Sequence, residues 1–339
     1  MKRSTLIVLV ICSVFLFSSL LLTPVFAADT YNWKMTSFDN AGGFINTLPK
    51  KFIEVLNERT NGAVKITLFE NTLGKPQDHW EMLEKGATHL AYLSEGHNLG
   101  RVPVGTLLNL PFEISEMSLI YDLCSEWLEA GCFRELTDYF QVLFIRPTNP
   151  IHLFLRDKKV TKIDDFKGMK IRALGGMMGK TLNALGAASV SMHGSEIYMG
   201  LSTGVIDGFL TGPDFVYNFK IHEVAKYGLK LSFNVGFWGA FMNKKVWESL
   251  PKDLQDTIKA VSHDVWKEDR EKTESIIKES WENLAKTKME VYTLPPEERE
   301  RWKKATSGIS NEYLDEWAAK GYPVKEAYKM MQEKAKLEK

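Results

Sequence analysis

From residue 31 onward the chain alternates short apolar runs with amphipathic ones. Residues 31–38 read as a strand. Residues 44–58 carry Phe44, Leu48, Phe52, Val55 and Leu56 at helical spacing, and Thr60-Asn61-Gly62 stops that helix. Residues 64–69 form a second strand, 77–85 a short helix and 89–93 a third strand. The middle repeats the pattern. Strands are expected at 152–156, 169–173, 189–192 and 206–210, with a turn or short helix at 163–166 and helices at 177–185 and 196–202. Strands alternating with helices predict mostly parallel sheets covered by helices. Two such sets predict two α/β lobes, and the strand-rich stretch 231–243 reads as a crossing back to the first. Beyond Pro251, one helical face carries Leu254, Ile258, Val261 and Val265, and Ile276, Ile277, Trp281 and Leu284 continue it. Residues 267–273 between them are almost wholly charged. A helix over 252–287 would be ~50 Å long, more than one small lobe spans. Apolar ends and a charged middle predict a helix that binds both lobes. From Pro295 the chain reads as polar and helical, with 333–339 a frayed tail. Two lobes joined by several crossings enclose a cleft, where small ligands bind.

Upstream of this pattern, Lys2 and Arg3 precede an apolar run over residues 6–22. Pro24 ends it, and Val25-Phe26-Ala27 puts small residues where a signal peptidase reads. This layout predicts a secretory signal peptide, cleaved after Ala27, and a periplasmic mature chain. An uncleaved anchor competes, since the run is nearly long enough to span a bilayer; the small-residue site favours cleavage. Cys12 follows Ile11, where a lipid-anchor motif wants a small residue. Of 339 residues, 312 follow Ala27, too many for one compact core. The expected divisions are 28–150 for the first lobe and 151–233 for the second. Residues 234–339 then return to the first lobe and supply the spanning and C-terminal helices.

Basic and acidic residues number 43 each, and losing Lys2 and Arg3 leaves about −2. That balance argues against nucleic acid as a partner and against acidic disorder. Cys124 and Cys132 remain after cleavage. Eight residues of continuous helix would hold them ~12 Å apart, too far to bond, unless Gly131 ends the helix and lets them approach. A disulfide and two free thiols both stay open.

Catalytic chemistry is hard to find. Gly179-Lys180-Thr181 resembles the end of a phosphate loop, but Leu174 stands where its first Gly belongs. Ser195 lacks the Gly two residues later that a nucleophile elbow needs. The seven histidines are scattered, with no metal-ligand spacing. No nucleophile, base and oxyanion donor assemble, so an enzyme, a metal site and a cofactor are not expected.

One run stands out: Ile163-Asp164-Asp165-Phe166-Lys167-Gly168-Met169-Lys170-Ile171-Arg172. With it go Glu58-Arg59-Thr60-Asn61-Gly62, Leu73-Gly74, Leu185-Gly186-Ala187, Ser195-Glu196-Ile197-Tyr198, Leu201-Ser202-Thr203-Gly204-Val205-Ile206-Asp207-Gly208, Asn243 and Leu250-Pro251. In this order, from about residue 31 to 290, they resemble the substrate-binding proteins of TRAP transporters, the DctP-like family. The resemblance implies a two-lobed periplasmic binding protein fold with a ligand cleft between lobes and a long helix touching both. It implies capture of an organic anion by lobe closure and delivery to TRAP membrane permease subunits. A monomer is the expected state.

The resemblance also places a ligand-gripping Arg at Arg172. A guanidinium suits the role, as a planar fork that stays charged and meets a carboxylate with two hydrogen bonds. Departures from the family pattern are informative. A second Arg about twenty residues earlier is replaced by His152, which is mostly neutral at pH 7. The segment after Asp207-Gly208 continues Phe209-Leu210-Thr211-Gly212-Pro213, so Thr211 offers a hydroxyl where an amide is common. Leu210 argues against a metal beside the ligand, and Asp214 is a weak substitute. Phe38, Phe209, Phe237 and Trp238 supply aromatic surface near strand ends, and Asn40, Glu95 and Tyr217 could meet a hydroxyl or amine. Together they predict a monocarboxylate with an apolar or aromatic body. A sensor feeding a membrane kinase is the alternative, and a periplasmic enzyme on the same scaffold a more remote one.

Overall fold

The computed structural model describes residues 30–338 except 42, 174, 175 and 193; the expected export segment and its cleavage point lie outside them. Two sheets organise the chain. The first has the order β2-β1-β3-β10-β4, built from β1 (Tyr31–Ser37), β2 (Val64–Glu70), β3 (Leu90–Ser94), β4 (Phe140–Pro147) and β10 (Phe237–Asn243). The second has the order β11-β9-β5-β8-β6-β7. Its strands are β5 (His152–Leu155), β6 (Lys170–Arg172), β7 (Ala188–Val190), β8 (Gly208–Thr211), β9 (Tyr227–Leu229) and β11 (Glu290–Tyr292). β1 runs parallel to β2 and β3, and β6 parallel to β7 and β8. Each sheet has a hydrophobic cluster on either face.

Local sequence explains the main elements. In helix Thr47–Arg59, Leu48, Phe52 and Leu56 recur every fourth residue and are buried against the first sheet. The turn that ends it places Asn61 at φ +49° and Gly62 at +78°, conformations that Asn and Gly adopt most readily. The long helix Lys252–Ala285 has 34 residues, so it is ~51 Å long. Ile258, Val261 and Val265 bury into the first core, and Trp281 and Leu284 into the second. The charged stretch between them is largely solvent-facing.

Two crossings tie the lobes and bond to each other. The Phe233 amide donates to the Ile151 carbonyl (2.6 Å), the Ile151 amide to the Asn234 carbonyl (3.0 Å) and the Thr148 amide to the Gly236 carbonyl (2.8 Å). A third tie is helix Pro296–Ala319. Its Trp302 is fully buried in the second core, while Tyr313 and Leu314 pack in the first.

Three expectations change. β4 is a full strand beside β10 that periodicity does not flag. Only residues 237–243 of the stretch 231–243 form a strand; the rest is extended crossing. The tail is docked rather than frayed. Met331 of helix Val324–Ala335 is fully buried, and the Glu338 carboxylate accepts from the Ser115 and Glu116 amides, the latter at 2.9 Å, and from the Ser115 hydroxyl at 2.8 Å. Cys124 and Cys132 are both buried free thiols.

Candidate functional site

β1 and β3 run parallel and end side by side, and antiparallel β10 begins there, with Trp238 opposite Ser94. The segments leaving these ends converge. The Phe38 ring lies over Tyr92 with centroids 5.9 Å apart, edge-on to His97 at 5.0 Å and 6.0 Å from Trp238. Glu95 is 3% exposed. Its Oε1 accepts from Asn109 Nδ2 at 3.1 Å, and its Oε2 has no partner among the described residues. Burial pushes this carboxyl up to about 7, against the pull of Asn109 and the Phe237 amide. A residue larger than Gly at 236 would drive its Cβ into Glu95 Oε1. The Tyr92 hydroxyl is also buried without a partner, and burial raises its pKa. Buried polar atoms without a hydrogen-bond partner are uncommon, and each needs an explanation.

β6 and β8 present a second set of ends. Arg172 closes β6 opposite Phe209 and is 6% exposed. Its Nε donates to the Met192 carbonyl at 3.0 Å. Among the described residues no carboxylate pairs with the guanidinium, and burial alone acts on its pKa, lowering it. The group nonetheless stays charged at any working pH. A charge removed from water without a counter-charge carries a penalty of several kcal/mol. Thr211 ends β8, half-buried.

Beside Trp238 lies a cavity of about 260 Å³, lined also by Thr47 from the first lobe and Asp214 from the second; neither Glu95 nor Arg172 is in its wall. Arg146 and Asn149 at the crossing and Asp269, Thr273 and Ile276 of the long helix line it too. Arg146 is fixed there. Its Nε donates to Asp269 Oδ2 (2.9 Å), its Nη2 to Thr273 Oγ1 (3.1 Å), and its guanidinium lies 5.0 Å from the Trp238 ring centroid. The Asn149 Oδ1 is buried and unpartnered. Sequence reasoning missed Arg146, Asn149 and Asn109. The Pro147-Thr148-Asn149-Pro150 run, a rigid crossing between two strands, was the available signal for Asn149.

Several expected residues sit elsewhere. Phe209 and Phe237 are fully buried core residues. Phe209 stacks on Phe154 at 5.5 Å, and Phe237 meets Phe133 edge-on at 6.1 Å. Alternation along β10 turns Trp238 one way and Phe237 the other. His152 opens β5 opposite Thr211, but its Nδ1 accepts from the amides of Leu231 (3.2 Å) and Ser232 (3.0 Å). Its proton is therefore on Nε2. Burial, then Lys230 and Arg299, holds its pKa down to about 3, so the ring is neutral. It faces a different cavity, beside Trp281 at 4.9 Å. Tyr217 is 39% exposed and stacks on His222 in a third cavity. Asn40 is exposed; its Oδ1 and its carbonyl accept from the Asn71 and Asn46 side chains, each at 3.0 Å. Among the described residues no group of three or more His, Cys, Asp or Glu could hold a metal ion, and no helix is long and apolar enough to cross a membrane.

Two sheet-based lobes, paired crossings and polar strand ends facing a cleft define a two-lobed solute receptor. Comparison makes the class specific. Residues 44–316 match bacterial extracellular solute-binding protein, family 7 (DctP), and the chain belongs to that family of TRAP-type solute receptors. It is 26% identical to the C4-dicarboxylate-binding periplasmic protein DctP of Rhodobacter capsulatus over 280 residues, 78% of this chain and 81% of that protein. A TRAP periplasmic solute binding protein from Desulfovibrio salexigens superposes with TM-score 0.80 at 21% identity, covering 91% of this chain and 96% of that one. A marine metagenome TRAP solute binding protein specific for aromatic acid ligands gives TM-score 0.75 at 21% identity, over 90% and 98%.

Proposed function

We propose that the exported, signal-cleaved chain captures a small monocarboxylate with an apolar or aromatic body and hands it to a TRAP membrane permease. The observation that carries this reading is Arg172, a buried guanidinium at a strand end with no carboxylate partner among the described residues. A ligand carboxylate would supply the missing counter-charge through two parallel hydrogen bonds. Closure of the lobes would bring it against Glu95, Phe38 and Trp238 from the first lobe and Thr211 and Asp214 from the second. The aromatic character of Phe38 and Trp238 favours a ring or chain over a second carboxylate, and the near-neutral Glu95 suits a hydroxyl or amine on that body. The marine relative's specificity for aromatic acids agrees with this chemistry.

The test is a thermal shift screen of benzoate, phenylacetate, their hydroxylated forms and succinate, followed by calorimetry on the best binder. Aromatic or apolar monocarboxylates are expected to stabilise more than succinate. Arg172→Ala is expected to lose on the order of 2–5 kcal/mol of binding free energy. Unchanged affinity in that variant overturns the anion assignment.

A further inference from the structure

A larger cavity, about 390 Å³, lies against Glu274, Ile277, Lys278 and Trp281 of the long helix; it shares no lining residue with the 260 Å³ cavity, and its wall includes neither Arg172 nor Glu95. Its polar lining is mostly donors. Lys230, Lys278 and Arg299 face it, together with neutral His152, whose Nε2–H has no acceptor among the described residues. Ser232 also lines it; this residue is 4% exposed and its hydroxyl has no partner among the described residues. Neither Lys230 nor Lys278 has a carboxylate within ion-pair distance among the described residues. Lys230 Nζ instead lies 4.8 Å from the Trp281 ring centroid. Arg299 makes one loose contact, 3.9 Å from Glu338. The two carboxylates of the lining are engaged: Glu274 accepts from Arg270 at 3.4 Å, and Glu116 from the Ser118 hydroxyl at 3.1 Å. Lys230 and Arg299 both depress the His152 pKa, so their charges act on one shared space. Trp281, Ile277, Leu231, Met117 and Pro150 supply the apolar part of the wall, and Ser115 and Ser118 complete it.

We propose that this cavity is a second binding site, separate from the Arg172 cleft, for a small carboxylate with an apolar body. The lysines and Arg299 supply the field, His152 Nε2–H and the Ser232 hydroxyl supply directed donors, and Trp281 and Ile277 cover the body. The inference goes beyond the capture reading and does not depend on it. A carboxylate suits the site better than a compact inorganic anion, because half the wall offers nothing to a fully hydrated ion.

The test uses the mature protein labelled with 5-fluorotryptophan, its Trp281 resonance identified by Trp281→Phe. Benzoate is titrated into the Arg172→Ala protein, where the cleft is disabled. Saturable movement of the Trp281 resonance is expected. Lys230→Gln with Lys278→Gln should weaken that response about tenfold while leaving the Arg172-dependent thermal shift unchanged. A Trp281 resonance that stays still, or moves equally in the double lysine variant, overturns the site. Inorganic phosphate moving it as strongly as benzoate overturns the carboxylate assignment. Because the reporter sits in this cavity, failure here leaves the cleft reading intact. A thermal shift indifferent to Arg172→Ala would defeat that reading alone.

Discussion

Glu95→Gln tests the electrostatics of the cleft in the ligand-free protein. The Glu95 carboxyl is raised from its ordinary 4.5 to about 7 because burial disfavours its charged form. Between these two values the unfolded chain has released the proton and the folded chain still holds it. Folded protein therefore binds more protons, and stability falls as pH rises across the window. The contribution is fully present below pH 4.5 and gone above pH 7. At about 1.4 kcal/mol per unit, the loss across the window is about 3 kcal/mol. Glutamine keeps the size and the oxygen that Asn109 bonds but cannot ionise. The assay is urea unfolding of both proteins at half-unit steps from pH 4 to 8. The stability of wild type minus that of the variant should decline by about 3 kcal/mol over the window. Glu135, raised to about 7 by burial, also titrates there, but it is present in both proteins and cancels in the difference. A flat difference curve, or one that rises with pH, would refute the claim that Glu95 is held near neutrality by burial.

Two further outcomes follow from the hinge and the tail. His152→Leu strips the acceptor from the Leu231 and Ser232 amides and should cost about 2 kcal/mol at pH 7 by urea unfolding. Because the folded pKa of His152 lies far below 6.5, the same variant should lose less stability than wild type as pH falls from 6.5 toward 3. Deleting residues 333–339 removes the Glu338 carboxylate from the Ser115 and Glu116 amides and the Lys334 ammonium from Glu126. Urea unfolding should show a loss of about 2 kcal/mol, where a frayed tail would show none.

Much of the architecture was legible because it rests on local periodicity. Leu48, Phe52 and Leu56 announce their helix, and the split apolar face of residues 252–285 announces a helix shared by two cores. β4 was not legible. Its burial alternates irregularly, and the partly buried Arg146 near its end breaks the apolar pattern. That Arg is accommodated because Asp269, 123 residues later, meets its charge, and no window of sequence contains both. The docked tail has the same cause: Ser115 and Glu338 are 223 residues apart. The polarity of 333–339 reads as that of a solvated segment, yet two of its charged side chains, Lys334 and Glu338, pair and cap.

The candidate site divides along a different line. Phe209, Phe237 and Trp238 are of types that suit a core and a ligand wall equally, so type alone could not sort them. Only the pleat did, turning Trp238 toward Arg146 and Phe237 toward Phe133. Arg172 and Glu95 are the opposite case, since charged groups are poor core residues and their burial needs a reason. Among the described residues, the second lobe buries a cation with no counter-charge and the first buries an acid near neutrality with one oxygen unused. These two do not neutralise each other by proton transfer, because the guanidinium never gives one up. A molecule carrying a carboxylate at one end and a hydrogen-bond donor at the other would satisfy both at once. A ligand with a carboxylate at each end would set a second acid beside Glu95 in a buried site, where the two could be accommodated only by holding a proton between them, and that added constraint is the physical basis for expecting succinate to bind more weakly than a hydroxylated aromatic acid.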